Sequence, residues 1–409
     1  MVESFALSNG IRVIARKISG VKSLSMGVYV GVGSSGETLP ENGLAHFIEH
    51  TTFKGTEKRT AFDVSRDPEL LGVMINAATT REYTYYYAKT LSEHTEATLE
   101  ILSDIFLNST YPQKELAREK GVVIEEINMY DDTPDDVCAS NLSRAVFGDG
   151  AGYGRPIIGT KTNVRSFNKN AILDFKRKHY TTDNIVLSFA GDVDFESVRE
   201  LCTKYFGRVP RSARAKAQET ELNNLCRTVV AKKDIEQEHI ALGFDFPAMY
   251  GELFDEYTFI VSALGGGMSS RLFQAIREKL GLCYNIETYQ QSYVKTGIWA
   301  IYAAVGLGAA EKTIAAIKDE LTAFKKSGIT EEEFRCVKEQ LKSGLAFAEE
   351  STTTMMNCYG KKLLLHNKIY DFDERLKAID RMTIERVNEI VTDRLDIERF
   401  ALSKVIKRR

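Results

Sequence analysis

The spacing of hydrophobic and polar positions changes repeatedly along the first half of the chain, and each spacing predicts an element. Alternating or continuous apolar segments rich in β-branched residues predict strands. These cover residues 10–18, 24–32 and 184–193, with a strand pair that starts at Met74. Apolar residues three and four apart predict helices. These cover residues 43–53, 60–71, 95–107, 114–130 and 195–206.

The order of elements recurs in the second half. Strands are predicted over 228–233, 239–246 and a pair within 284–305, and helices over 255–264, from 270, over 310–326 and over 330–348. The recurrence predicts one unit used twice, with a period on the order of 210 residues. The expected fold is α+β, with two similar domains, each an antiparallel or mixed β-sheet covered by helices. We place the domains at residues 1–208 and 226–409, joined by a polar linker at 209–225.

Composition narrows the class of protein. A chain of 409 residues exceeds one hydrophobic core, which agrees with two domains. A net charge of −3 gives no reason to expect nucleic acid or a membrane surface as a partner. The start of the chain does not have the pattern of a signal peptide, and the longest apolar tract, from Ile298, is too short to span a bilayer. Six cysteines without CxxC spacing make a disulfide framework improbable. We therefore expect a cytoplasmic protein.

The segment HFIEH places His46, Glu49 and His50 within five positions, in a chain with six histidines. Residues three and four apart share one face of a helix. Both imidazoles can therefore hold one zinc ion, and the carboxylate can take a proton from a water molecule beside it. The alternative is a chance cluster on a solvated helix. The second half lacks the cluster, so the duplicated fold does not need it for packing.

The motif H-x-x-E-H and the segments that follow it carry a resemblance to a known family. These segments include HTTFKGT, INAATTREYTYYYAKTL, AREKGVVIEEINMYDD, YGRPIIGT and LGGGMSSRLFQAIREKLGLCY. The chain resembles the pitrilysin-type inverzincin zinc peptidases, and within them the bacterial proteins similar to the catalytic subunit of mitochondrial processing peptidase. The resemblance implies a metalloendopeptidase with one Zn2+ per chain, in the N-terminal domain, that cleaves extended peptides in a closed chamber.

The resemblance also implies roles for individual residues. Glu126 matches the third zinc ligand, and Glu119 matches a further glutamate that orients or charges the site. Their spacing of seven places both on one helical face, whereas Glu125 is rotated off that face. Without the resemblance, we would interpret Glu119 and Glu126 as part of a solvated acidic surface.

Two further segments match positions that bind substrate in the family. Asn76 and Ala77 match an Asn-Ala pair on an edge strand to which the substrate adds as a further strand. Arg277 and Tyr284 in the C-terminal domain match a pair that grips the substrate backbone and stabilises the oxyanion. For the tyrosines after Asn76 we favour an ordinary structural role. The glycines of GGGMSSR lack the GK[ST] of a phosphate-binding loop, and the family uses them as a hinge.

Family members join two such halves in one chain or pair separate chains, so a homodimer is the simplest expectation. The alternatives are a non-catalytic assembly subunit of the same fold and a zinc hydrolase of non-peptide substrates.

Three residues depart from the family pattern. Pro68 is expected to break or kink its helix, Val73 replaces a common glycine, and Gly121 weakens the helix of the third ligand.

Overall fold

The computed structural model describes residues 1–214, 222 and 224–408. The chain forms two compact units, each assembled from segments that are distant in sequence. The first unit contains Met1–Ile127, Pro156–Glu219 and Phe347–Tyr370. The second contains Asn128–Arg155, Thr220–Ala346 and Asp371–Arg409.

A six-stranded sheet forms the centre of the first unit. Its strands are β1 (Val2–Ala6), β2 (Arg12–Lys17), β3 (Ser23–Val30), β4 (Met74–Thr79), β5 (Thr84–Leu91) and β6 (Ile185–Gly191). They are arranged in the order β1-β2-β6-β3-β5-β4, so β4 lies at an edge. β2 and β6 run parallel and the other neighbours run antiparallel. Every residue of β6 is buried, as its almost continuous apolar sequence predicts.

Helices cover both faces of this sheet. They are α1 (Leu44–Thr52), α2 (Ala61–Leu70), α3 (Thr95–Asn108), α4 (Gln113–Asp132), α6 (Lys161–Ser166), α7 (Lys169–His179), α8 (Phe195–Phe206) and α12 (Thr352–His366). On β5, residues alternate between the core and the opposite face, where α12 packs on β3 and β6. The Tyr29 hydroxyl donates to Asn357 of α12 at 2.5 Å. Gly360 makes this approach possible, because a Cβ there would lie 2.5 Å from the Tyr29 ring.

The second unit has a five-stranded sheet in the order β7-β11-β8-β10-β9. Its strands are β7 (Thr228–Lys233), β8 (Glu238–Phe246), β9 (Cys283–Ser292), β10 (Gly297–Val305) and β11 (Ala401–Lys407). Its helices are α5 (Pro134–Phe147), α9 (Phe254–Gly265), a π-helix (Phe273–Lys279), α10 (Ala310–Ser327), α11 (Glu331–Glu350), α13 (Phe372–Arg381) and α14 (Ile384–Asp393). α5 packs on β8 and β11 through a core that includes Cys138 and Leu142.

The two sheets with their helices confirm the predicted α+β class. The compact units nevertheless cross the sequential boundaries that we predicted at residues 208 and 226. α5 comes from the first half of the chain but packs in the second unit, and α12 comes from the second half but packs in the first. Much of the predicted linker, residues 215–221 and 223, lies outside the described residues.

The three departures from the family pattern have local explanations. α2 continues through Pro68 and ends two residues later, where the Pro68 carbonyl accepts from the backbone N–H groups of Leu71 and Val73. Of the break or kink that we expected, a break at Pro68 itself does not occur. Val73 is itself buried in the core. Gly121 lies within an unbroken α4 and faces open space.

Candidate active site

A buried carboxylate fixes the start of α1, the helix that carries HFIEH. Glu37 is 4% exposed, and its two oxygens accept from the backbone N–H groups of Gly43 at 2.8 Å and Ala45 at 2.7 Å. The first turn of a helix has N–H groups without helical partners, and a negative charge there is favourable. Gly43 caps the helix with φ of +96°, a conformation that favours glycine.

α1 and α4 bring three candidate metal ligands together. His46 Nε2 lies 3.8 Å from Glu126 Oε1, and His50 Nε2 lies 3.4 Å from Glu126 Oε2. One ligand atom from each of the three residues lies within 4.8 Å of the others. The imidazole rings are 4.6 Å apart between centroids. The structure thus brings His46 and His50 together with Glu126, the residue that the resemblance implies as third ligand. Glu125 is exposed, off the face that carries Glu126.

The donor set and its unsatisfied carboxylate oxygen fit zinc. Two histidines and one carboxylate, with a fourth position left for water, are a common zinc set in hydrolases. Glu126 Oε2, which faces His50 Nε2, is buried without a hydrogen bond of good geometry. Burial, and then the neighbouring His50, lower the pKa of His46 to about 4, which keeps this imidazole neutral as a ligand must be.

His50 and Glu126, the other two members of the group, shift each other's pKa in opposite directions. Burial lowers the pKa of His50, but hydrogen bonds to Glu119 and Glu126 outweigh burial and raise that pKa to about 9. The hydrogen bond from His50 lowers the pKa of Glu126. In the absence of metal, an imidazolium at His50 therefore compensates the carboxylates, and a metal ion has to displace its proton.

Glu49 is held beside this group by a residue of the edge strand. The Thr79 hydroxyl donates to Glu49 Oε2 at 2.5 Å. Burial raises the pKa of Glu49, although the hydrogen bond from Thr79 partly opposes that shift. A carboxylate with a raised pKa is a better proton acceptor at neutral pH, as a general base requires.

Glu119 lies behind His50 on the same face of α4 as Glu126. Glu119 Oε2 is 3.5 Å from His50 Nδ1, and Glu119 Oε1 is 2.8 Å from Lys54 Nζ. The side chain of Glu119 is only 5% exposed. Burial raises its pKa, but the hydrogen bonds to His50 and Lys54 outweigh burial and lower it, so Glu119 is an anion.

The predicted substrate strand is β4, the edge strand of the first sheet. Its residues pair with β5 on one side, with Asn76 opposite Tyr87 and Ala77 opposite Tyr86. In the described part of the chain, its other side has no partner strand. Asn76 is exposed and Ala77 is buried. Tyr86 faces the core, which agrees with the structural role that we favoured for the tyrosines.

Arg277 and Tyr284 lie together in the second unit. Arg277 belongs to the π-helix, and Tyr284 lies on the edge strand β9. The Arg277 guanidinium is 5.1 Å from the centre of the Tyr284 ring and 4.5 Å from that of Phe273. Tyr284 is 77% exposed, so its hydroxyl is open to a ligand.

Comparison with known proteins decides the family. The family model described as "Insulinase (Peptidase family M16)" matches residues 12–161, and the model described as "Peptidase M16 inactive domain" matches residues 166–341. The chain is 36% identical to the uncharacterized zinc protease YmxG of Bacillus subtilis, over 99% of this chain and 98% of that protein. The chain belongs to peptidase family M16. This membership confirms the predicted pitrilysin-type family and supports a protease role.

Two solved bacterial structures share the fold. A peptidase M16 inactive domain from Pseudomonas fluorescens superposes with a TM-score of 0.92 at 16% identity, over 100% of this chain and 98% of that one. A protease from Helicobacter pylori gives 0.90 at 21% identity, over 99% of both chains. In the described residues of the M16 chain, no helix is long and apolar enough to cross a membrane. The narrower resemblance to processing peptidases stays a prediction.

Sequence reasoning missed three residues that shape this site. Glu37 contacts the backbone at the start of α1, and Thr79 contacts Glu49 of α1. Lys54 contacts Glu119 of α4. Lys54 follows HFIEH by four positions, so the helical spacing that relates His46 to His50 also relates His50 to Lys54. Glu37 and Thr79 had no comparable local signal.

Proposed function

We propose that this M16 chain is a zinc-dependent endopeptidase that cleaves extended or unfolded peptides. The observation that carries the proposal is the group of His46, His50 and Glu126, with Glu49 held beside it. The family model that covers this group and the names of the relatives agree with it.

His46, His50 and Glu126 are the residues that would hold the ion, one Zn2+ per chain. Zinc supplies a Lewis acid that polarises a carbonyl oxygen and makes a water molecule acidic near neutral pH. The side-chain geometry supports ligation by Nε2 of both histidines, because these are the atoms that face Glu126.

Glu49 acts as the general base in the proposed reaction. Its carboxylate accepts a proton from the attacking water, and its raised pKa favours that transfer. Thr79 restrains the carboxylate through Oε2, which leaves Oε1 available for the proton. The same carboxyl group can then pass the proton to the amine that leaves when the peptide bond breaks.

Substrate binding is proposed to occur by addition of a strand to β4. An open strand edge offers main-chain N–H and C=O groups, which bind a peptide with little demand on its sequence. An unmodified peptide and a matched pair of methylated peptides test this mode. Methylation of alternate backbone nitrogens around the cleaved bond removes N–H donors and keeps every side chain. We expect one of the two methylation registers to raise KM strongly, and equal cleavage of all three peptides would refute strand addition.

We further propose that two identical chains pair, so that Arg277 and Tyr284 of the partner subunit serve the site that contains Glu49. The described residues contain one candidate metal group, and the chain has one Arg–Tyr pair that matches the family, which supports two equivalent composite sites. Mixing inactive Glu49→Gln with inactive Arg277→Ala under subunit exchange tests the pairing. Random exchange makes about half the dimers mixed, and about a quarter of all sites should recover. No recovery, with exchange confirmed by mass spectrometry, would contradict shared sites.

Removal and return of the metal tests the zinc-dependent activity. Chelator-treated protein should lose cleavage of an unfolded protein substrate, and one equivalent of zinc per chain should restore it. His46→Ala should not recover at the same zinc concentration. Zinc binding without cleavage of any peptide would favour the non-catalytic subunit, and turnover of non-peptide esters or amides alone would favour the other hydrolase.

A further inference from the structure

Lys54 reaches the zinc site through a buried carboxylate. It lies two residues beyond the end of α1, and its ammonium group is 2.8 Å from Glu119 Oε1. The other oxygen of Glu119 faces His50 Nδ1 at 3.5 Å. The opposite nitrogen of His50 faces the candidate ligand Glu126 at 3.4 Å. These contacts form a chain from Lys54 through Glu119 and His50 to the position that the ion would take.

We propose that Lys54 is a positioning residue for zinc binding, which acts by fixing the carboxylate of Glu119 against His50. This inference rests on the proposed function, because it assumes that His50 is a zinc ligand. A metal-ligating histidine usually donates its second ring nitrogen to a carboxylate or carbonyl, which fixes the tautomer and the ring orientation. Glu119 is that acceptor here, and Lys54 decides which of its oxygens is available.

Burial makes this pair different from a surface ion pair. Exposed ion pairs contribute little, since both side chains are mobile and solvated. The side chain of Glu119 is 5% exposed, and that of Lys54 is 31% exposed. Removing one partner of a buried pair leaves an uncompensated charge, so the remaining carboxylate rotates or recruits water. Either response changes the hydrogen-bond acceptor that faces His50 Nδ1.

Lys58 offers a matched control from the same connecting segment. Its ammonium group lies 3.2 Å from Glu100, and its side chain is 64% exposed. Lys58→Met removes the same charge and similar length as Lys54→Met, without contact to the zinc site. Lys54→Arg retains a cation that can still reach Glu119, and it tests whether the charge rather than the lysine stem is required.

Zinc affinity, measured by competition with a chelator, is the direct readout and needs no activity. Loss of residues that support metal ligands typically weakens affinity 10–100-fold. We expect Lys54→Met to weaken zinc binding on the order of tenfold, Lys54→Arg to restore most of it, and Lys58→Met to bind as the wild type does. Thermal unfolding of the metal-free variants checks that each is folded.

A double-mutant cycle separates the positioning role from a general structural one. If Lys54 acts through Glu119, then Lys54→Met should add almost nothing to the loss caused by Glu119→Gln. Additive losses, or a Lys54→Met affinity within twofold of wild type, would overturn the inference. A different result would contradict the proposed function. In that case the wild-type protein would bind no zinc, or His50→Ala would bind zinc as well as the wild type does.

Discussion

Substitution of Glu37 by glutamine should destabilise the protein far more than its position in a connecting segment suggests. Glu37 accepts from two backbone N–H groups at the start of α1, at 2.8 and 2.7 Å, and is buried. Hydrogen bonds to a charged group contribute about 1.5–3 kcal/mol each. Glutamine keeps one acceptor but turns an NH2 group toward the other N–H. We therefore expect a loss of about 2–4 kcal/mol in the free energy of unfolding.

Glu41→Gln is the matched control, because Glu41 also accepts two hydrogen bonds, from the backbone and the hydroxyl of Thr38. Those bonds are exposed, so the loss should stay below about 1 kcal/mol. Urea unfolding of the metal-free proteins measures both, which avoids stabilisation by bound zinc. His46 lies in the first turn of α1, so Glu37→Gln should also weaken zinc binding. Equal stability of the two variants would refute the role of Glu37 as the cap of α1.

The remaining predictions each use one measurement. Glu126→Gln should weaken zinc binding more than Glu125→Gln, and the reverse order would move the third ligand by one residue. Gly121→Ala should stabilise α4 by about 0.4–1 kcal/mol in urea unfolding, because its new methyl meets open space. Zinc affinity should rise with pH and level off only near the His50 pKa of about 9, since the metal displaces that proton. Thr79→Val should further raise the pKa of the general base, so the acidic limb of kcat/KM should move to higher pH.

The parts of the site that follow local spacing were predictable from the sequence. His46, Glu49 and His50 share a helical turn, and the separation of seven between Glu119 and Glu126 places both on one face of α4. The contact between α1 and α4 is a tertiary feature. It entered the prediction through the family resemblance, since periodicity describes one element at a time.

The packing of α5 and α12 was not predictable from local spacing. α5 and α12 each pack against the sheet of the other half of the chain, and their apolar faces do not specify which sheet they cover. Sequential domain boundaries at residues 208 and 226 therefore differ from the compact units. Glu37 was missed for a related reason: it lies outside any periodic segment, and only the folded chain brings its carboxylate to the start of α1.

The most direct test of the zinc-peptidase account is Glu49→Gln, with metal content and peptide cleavage measured on the same preparation. Glutamine cannot accept the proton, but His46, His50 and Glu126 all remain. The account predicts one zinc per chain, as in the wild type, and loss of cleavage of an unfolded protein substrate followed by mass spectrometry. Retained turnover in a variant that binds zinc normally would remove Glu49 from the mechanism and contradict the account.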